Sequence, residues 1–144
     1  MKFKQQEETK TNSFLDSIIH LMCINLEFNY AIKSQVDFAG MSTHEFTTYT
    51  SRLHGDQEWL NKLFIAINPE HKPAELNPTL KPVDSVKELV KLEEEYYNIL
   101  KEIGKNALEQ NEFEVVAYLS NIIIGFKHYF CTLDEGNVSG ETGS

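Results

Sequence analysis

Three acidic residues of this chain stand inside apolar helical stripes: Glu27, Asp56 and Glu93. On an α-helix, positions i±3 and i±4 share a face with position i. Those neighbours are Cys23, Ile24, Tyr30 and Ala31 for Glu27, and Arg52, Leu53, Trp59 and Leu60 for Asp56. For Glu93 they are Leu89, Val90, Tyr96 and Tyr97. A carboxyl group in a buried stripe is costly unless it is protonated, paired or bound to a cation. Three of them at mid-height in one bundle repel unless protons or a cation lie between them. Oxygen donors suit hard cations, and an added nitrogen donor suits iron or manganese. His128 is the histidine placed to approach such a cluster, within a turn of Phe126 and Tyr129. A single core-facing acid is more often paired with Lys, Arg or Tyr than with a metal, and Arg52 lies one turn from Asp56. The coincidence across three helices is what points to a metal site.

The elements that must position these residues are helices. Residues 13–38 contain no Gly or Pro and read as one long helix with Glu27 near its middle. Ser42 with Glu45 is a capping box that opens a second helix over 43–67. Ser85 with Glu88 opens a third over 85–109, and Asn111 with Glu114 gives a similar signal for a fourth over 112–134. Between the second and third, residues 68–83 carry Pro69, Pro73, Pro78 and Pro82, which favour an extended strap. Extended, about 16 residues reach ~50 Å, the length of a bundle. The predicted fold is therefore all-α: a ferritin-like four-helix bundle, two antiparallel hairpins joined by a long crossover between the second and third helices. The expected organisation is a flexible N-terminal tail over 1–12, the bundle over 13–135 and a glycine-rich C-terminal tail over 136–144.

Composition narrows the function. The 144 residues include 22 acidic against 13 basic, a net charge of −9, which disfavours nucleic-acid binding because that needs a basic footprint. No apolar run reaches the ~18 residues of a membrane span. The N-terminal MKFKQQEETKTN lacks a signal-peptide core, so the expected setting is cytoplasmic, without a membrane partner. Cys23 and Cys131 form no CxxC pair and read as inert thiols in apolar helical surroundings. There is no phosphate-binding glycine loop, no GxSxG elbow and no HExxH.

The segments INLEFNYAI, HGDQEWLNKLF and SVKELVKLEEEYYNILKEIGKNALEQNEFEVVAYL resemble the ferritin family, especially bacterial non-haem ferritins, over roughly residues 15–141. The resemblance implies an iron-binding and iron-storage protein in which Fe²⁺ binds Glu27, Asp56 and Glu93 with His128. It also implies a homo-oligomer, in the family a 24-subunit shell. The pattern departs from the family at two places. Trp59 stands where the family has a histidine, and Gly125, Phe126, His128 and Tyr129 supply no carboxyl or carboxamide for a second iron. The chain also stops about where the family's short fifth helix begins. The implied iron chemistry is therefore a weak or atypical ferroxidase. The alternative is a ferritin-derived structural or interaction protein, its inward carboxyl groups protonated or hydrogen-bonded to tyrosines.

Overall fold

Apolar residues that recur at alternating spacings of three and four bury one face of a helix. The computed structural model describes residues 2–34, 42–126 and 128–132, with side chains of the first stretch from residue 14 onward. Among the described residues there are four α-helices and no strand: α1 (Lys2–Ser34), α2 (Thr43–Ala66), α3 (Val86–Glu109) and α4 (Phe113–Ile124). α1 packs against α2 and α3, and α4 packs against the same two helices. The fold is all-helical and bundle-like. No helix among the described residues is long and apolar enough to cross a membrane.

The buried stripes fix how each helix is rotated. On α2 the stripe is Tyr49, Leu53, Asp56, Leu60 and Leu63; on α3 it is Leu89, Glu93, Tyr96, Leu100, Ile103 and Ala107. Asp56 and Glu93 thus occupy central core positions, as their neighbours in sequence require. On α1 the stripe is Phe14, Ile18, Leu21, Asn25, Phe28 and Ile32. Glu27 is not part of it. It lies one residue, about 100° of rotation, from Phe28, and is only half-buried at the edge of the face. The buried polar residues of α1 are Asn25, which is fully buried, and Asn29.

Local signals account for the helix starts. The Glu45 N–H donates to Ser42 Oγ at 3.1 Å and the Glu88 N–H to Ser85 Oγ at 3.3 Å, so both expected serine caps form. The reciprocal half of the second box is displaced: Glu88 Oε2 accepts from the Asp84 N–H, at 2.9 Å. The Asn111 signal is not a cap. Asn111 takes a left-handed φ of 59°, and the Glu112 N–H closes back on the Ala107 carbonyl at 2.8 Å. That arrangement ends α3 in the way an αL residue ends many helices, and α4 begins after it without a side-chain cap. Residues 68–83 form the expected irregular strap, tied to α1 where the Val83 N–H donates to Ser34 Oγ at 3.2 Å.

Two boundaries differ from the sequence expectation. α1 begins at Lys2, inside the stretch expected to be a tail. Lys, Gln and Glu dominate residues 2–10 with no Gly or Pro, and such residues extend a helix that is already nucleated. The fourth helix ends at Ile124 rather than at residue 134. It stops at Gly125 and a separate helical turn follows over 129–132. The expected loop at 39–41, the end of the first helix at 35–38, and the tail at 136–144 lie outside the described residues.

Aromatic rings fill the middle of the core. Phe28 lies 5.9 Å from Tyr49, 6.3 Å from Tyr96 and 5.9 Å from Phe130, centroid to centroid. Phe130 and Tyr96 are fully buried with it. Phe28→Ala should lower stability by about 3–5 kcal/mol. Tyr30→Ala, two positions on but exposed, should change it by less than about 0.5 kcal/mol. Urea unfolding of the two variants checks the rotation of α1, and equal losses would place the stripe wrongly.

Candidate functional site

The polar core has two linked centres, one at Asp56 and one at Glu93. At the first, the Tyr96 hydroxyl donates to Asp56 Oδ2 at 3.0 Å. The same hydroxyl accepts from Asn25 Nδ2 at 3.1 Å, and Asn25 Nδ2 also donates to the Leu53 carbonyl at 3.2 Å. The chain Asn25–Tyr96–Asp56 therefore ties α1, α3 and α2 together through one phenol. A hydroxyl can donate once while accepting twice, which is why tyrosine suits this position.

At the second centre Glu93 is fully buried and accepts three hydrogen bonds. The Tyr49 hydroxyl donates to Oε2 at 2.8 Å. The Phe130 N–H donates to the same oxygen at 3.0 Å, and the Cys131 N–H donates to Oε1, also at 3.0 Å. The last two donors lie in the first turn of the 129–132 helical segment. Glu93 thus does from a distant helix what an N-cap side chain does locally. The positive end of that turn also favours an acidic group. A second acid holds the same turn from the rim, where the Tyr129 hydroxyl donates to Glu45.

These environments shift proton affinities. Burial pushes the Asp56 carboxyl up to about 6, against the Tyr96 hydrogen bond and the positive charge of Arg52. Burial, reinforced by the charge of Asp56, raises the Tyr96 phenol well above its ordinary range. Tyr49 is raised likewise, by burial and then by Glu93. Tyr129 is pushed up to about 12, mainly by burial, with Glu45 adding to it. Both core tyrosines consequently remain neutral donors throughout the physiological range.

The four residues expected to share a metal lie in different settings. Asp56 and Glu93 occupy the core, each bonded to a tyrosine. Glu27 faces an open groove of about 470 Å³ between α1, the strap and α3, with Thr79, Lys81, Glu88, Lys91 and Glu95. His128 is exposed and packs on the rings of Tyr97 and Phe126, at 4.5 and 4.9 Å. Among the described residues, no group of three or more His, Cys, Asp and Glu could hold a metal ion. Trp59 sits edge-on to Tyr118 at 6.0 Å, with Lys62 Nζ 5.0 Å from its ring, and so faces α4. Cys23 and Cys131 are both half-buried.

The partners that sequence reasoning left unassigned are Asn25, Tyr49 and the backbone of residues 130 and 131. Asn25 and Tyr49 have a visible signal, since both stand at stripe positions spaced three or four from apolar neighbours. The backbone donors have none, because they depend on the break at Gly125. No protein-family model, curated protein or solved structure matches this chain.

Asp56 links the site to stability. Its folded-state affinity lies above the unfolded value, so the folded chain binds more protons between about pH 4 and pH 6. Asp56 therefore lowers stability as pH rises through that window. Asp56→Asn, which keeps an acceptor for Tyr96, should remove this slope and leave the protein as stable or up to about 2 kcal/mol more stable at pH 7.5. Urea midpoints at pH 4.5 and 7.5 measure both terms, and an unchanged slope in the variant would contradict the assignment.

Proposed function

We propose that this chain is a non-catalytic, ferritin-like four-helix interaction module, in which the buried carboxyl groups hold the bundle together instead of binding iron. The observation that carries this reading is the threefold donor set on Glu93. Three of the roughly four acceptor sites of that carboxyl are already taken, so a cation bound through both oxygens would displace the Tyr49 hydroxyl or a backbone N–H group. Each buried donor left unpaired costs about 1–3 kcal/mol. Glu27, the acid the ferritin resemblance would use first, lines a groove that also holds Lys81 and Lys91. The residues present do not fit a diiron centre, since among the described residues no three His, Cys, Asp or Glu side chains converge.

The ferritin-like connectivity is supported by the order of contacts. Tyr49 and Asp56 of α2 meet Glu93 and Tyr96 of α3, in the same order along both helices. Those helices therefore run in the same direction, and a strap joining them must travel the length of the bundle. α2 and α4 run in opposite directions, since Trp59 meets Tyr118 while Arg52 lies against Gly125.

Iron storage is the second reading. The observation that favours it is that Asp56 and Glu93 share one core, joined through Tyr49, Phe28 and Tyr96. Aerobic Fe²⁺ loading of the protein, followed by desalting and iron counting per chain, separates the two. The expected result is no iron above a control protein that binds no metal. Retained iron that falls in Glu27→Gln, Asp56→Asn and His128→Ala would establish storage instead.

The interaction role is supported by large apolar side chains left in solvent. Phe113 and Ile124 are exposed on α4, with Leu108 near the end of α3. α4 carries a single charged residue, Glu114, so this face is open to an apolar partner. Self-association through it is expected. Native mass spectrometry should show species above the 16.6 kDa chain that Phe113→Ser with Ile124→Ser shifts to monomer. A wild-type monomer at micromolar concentration would remove homo-oligomerisation from the proposal.

A further inference from the structure

Arg52 is the unexplained cation of this core. It stands one turn before Asp56 on α2 and is only partly exposed. One of its terminal nitrogens is buried and has no hydrogen-bond partner among the described residues. Leaving a guanidinium nitrogen in that state is unfavourable unless the surrounding field compensates for it. The backbone explains how it fits. A side-chain carbon built on Gly125 would lie 3.4 Å from that nitrogen and 3.8 Å from Nε. The guanidinium thus lies against the C-terminal end of α4, within van der Waals contact of where a side chain at position 125 would begin.

We infer that Arg52 is the resident cation of the polar core, lodged between Asp56 and the end of α4 where a metal-dependent bundle would need a bound ion. This rests on the reading that the carboxyl groups hold no iron. Two negative features face the guanidinium. One is the Asp56 carboxyl, and the other is the C-terminal end of α4, where unpaired carbonyls concentrate partial negative charge. No ion pair within 4.0 Å joins Arg52 to Asp56, so the coupling acts through the field at longer range. The charge of Arg52 also opposes the burial that raises Asp56, Tyr49 and Tyr96, in keeping with a central position. Arginine suits the role because it stays charged when desolvated. Gly125 suits it because a methyl group there would already touch the guanidinium and a branched side chain would crowd it.

A double-mutant cycle tests this. Urea unfolding at pH 7.5 compares Arg52→Gln in the wild-type chain and in the Asp56→Asn chain. The folding equilibrium should weaken by at least about fivefold more in the wild-type chain. Equal losses in both would overturn the inference while leaving the function reading intact, because that reading is decided by iron counting. Arg52→Lys, which keeps the charge, should retain most of the coupling, and its loss would also count against the proposal. Size gives an independent arm. Gly125→Val should destabilise the wild-type chain strongly and the Arg52→Ala chain at least about fivefold less. Identical effects in the two chains would place the guanidinium elsewhere.

Discussion

The bundle depends on satisfying a carboxyl group that water cannot reach. Glu93 lies at the centre of the α3 stripe, and burying it without partners would cost more than most single contacts return. Its donors come from α2 and from a turn 37 residues further along the chain. That requirement shapes the molecule well beyond α3. A fourth helix continuing without a break would spend the N–H groups of Phe130 and Cys131 on its own ladder. The stop at Gly125 and the restart at residue 129 release those donors for Glu93 and seat Phe130 among Phe28, Tyr49 and Tyr129. One acid thus fixes where the fourth helix ends, where the following turn docks and which aromatic ring closes the core.

The polar centre at Asp56 works by a related but weaker logic. Tyr96 serves as a shared donor and acceptor, so one phenol satisfies an asparagine on α1 and an acid on α2. Asn25 Oδ1 has no hydrogen-bond partner among the described residues, but the bonds that do form favour one packing over its neighbours, because any slip unpairs a further buried group. The arrangement is not tuned for stability alone. Asp56 is held above its ordinary proton affinity by burial, and the molecule tolerates that strain near neutral pH. The rim contact between Tyr129 and Glu45 shows a similar pairing of phenol and acid at a wetter site, where it contributes less.

Much of this was legible in the residues themselves. Spacings of three and four put Asp56 and Glu93 on inward stripes, Ser42 and Ser85 marked two helix starts, and four prolines marked the strap. The reading failed at Glu27, because its four apolar neighbours in sequence lie on the flank of the α1 stripe as well as within it. Asn25 was overlooked for the opposite reason. A polar residue looks outward until its partner is known, and that partner lies 71 residues away. His128 was read as a continuation of the fourth helix. Once the chain breaks at Gly125, the imidazole instead packs on Tyr97 at the surface.

What the sequence by itself determined is helical content, the phase of two stripes and the presence of inward acids. These follow from local geometry, since each residue advances by a constant angle about its own helix axis. What only the tertiary structure decided is which polar groups those acids meet. Crossing and docking of helices bring Tyr49 to Glu93, Tyr96 to Asp56 and Arg52 to Gly125, pairs separated by 44, 40 and 73 positions along the chain. No periodicity within one helix encodes such contacts, because they depend on the relative placement of separate elements. An inward carboxyl therefore announces that it needs a partner, and the packing of the other helices determines whether that partner is an ion, a phenol or the N–H groups of a broken helix.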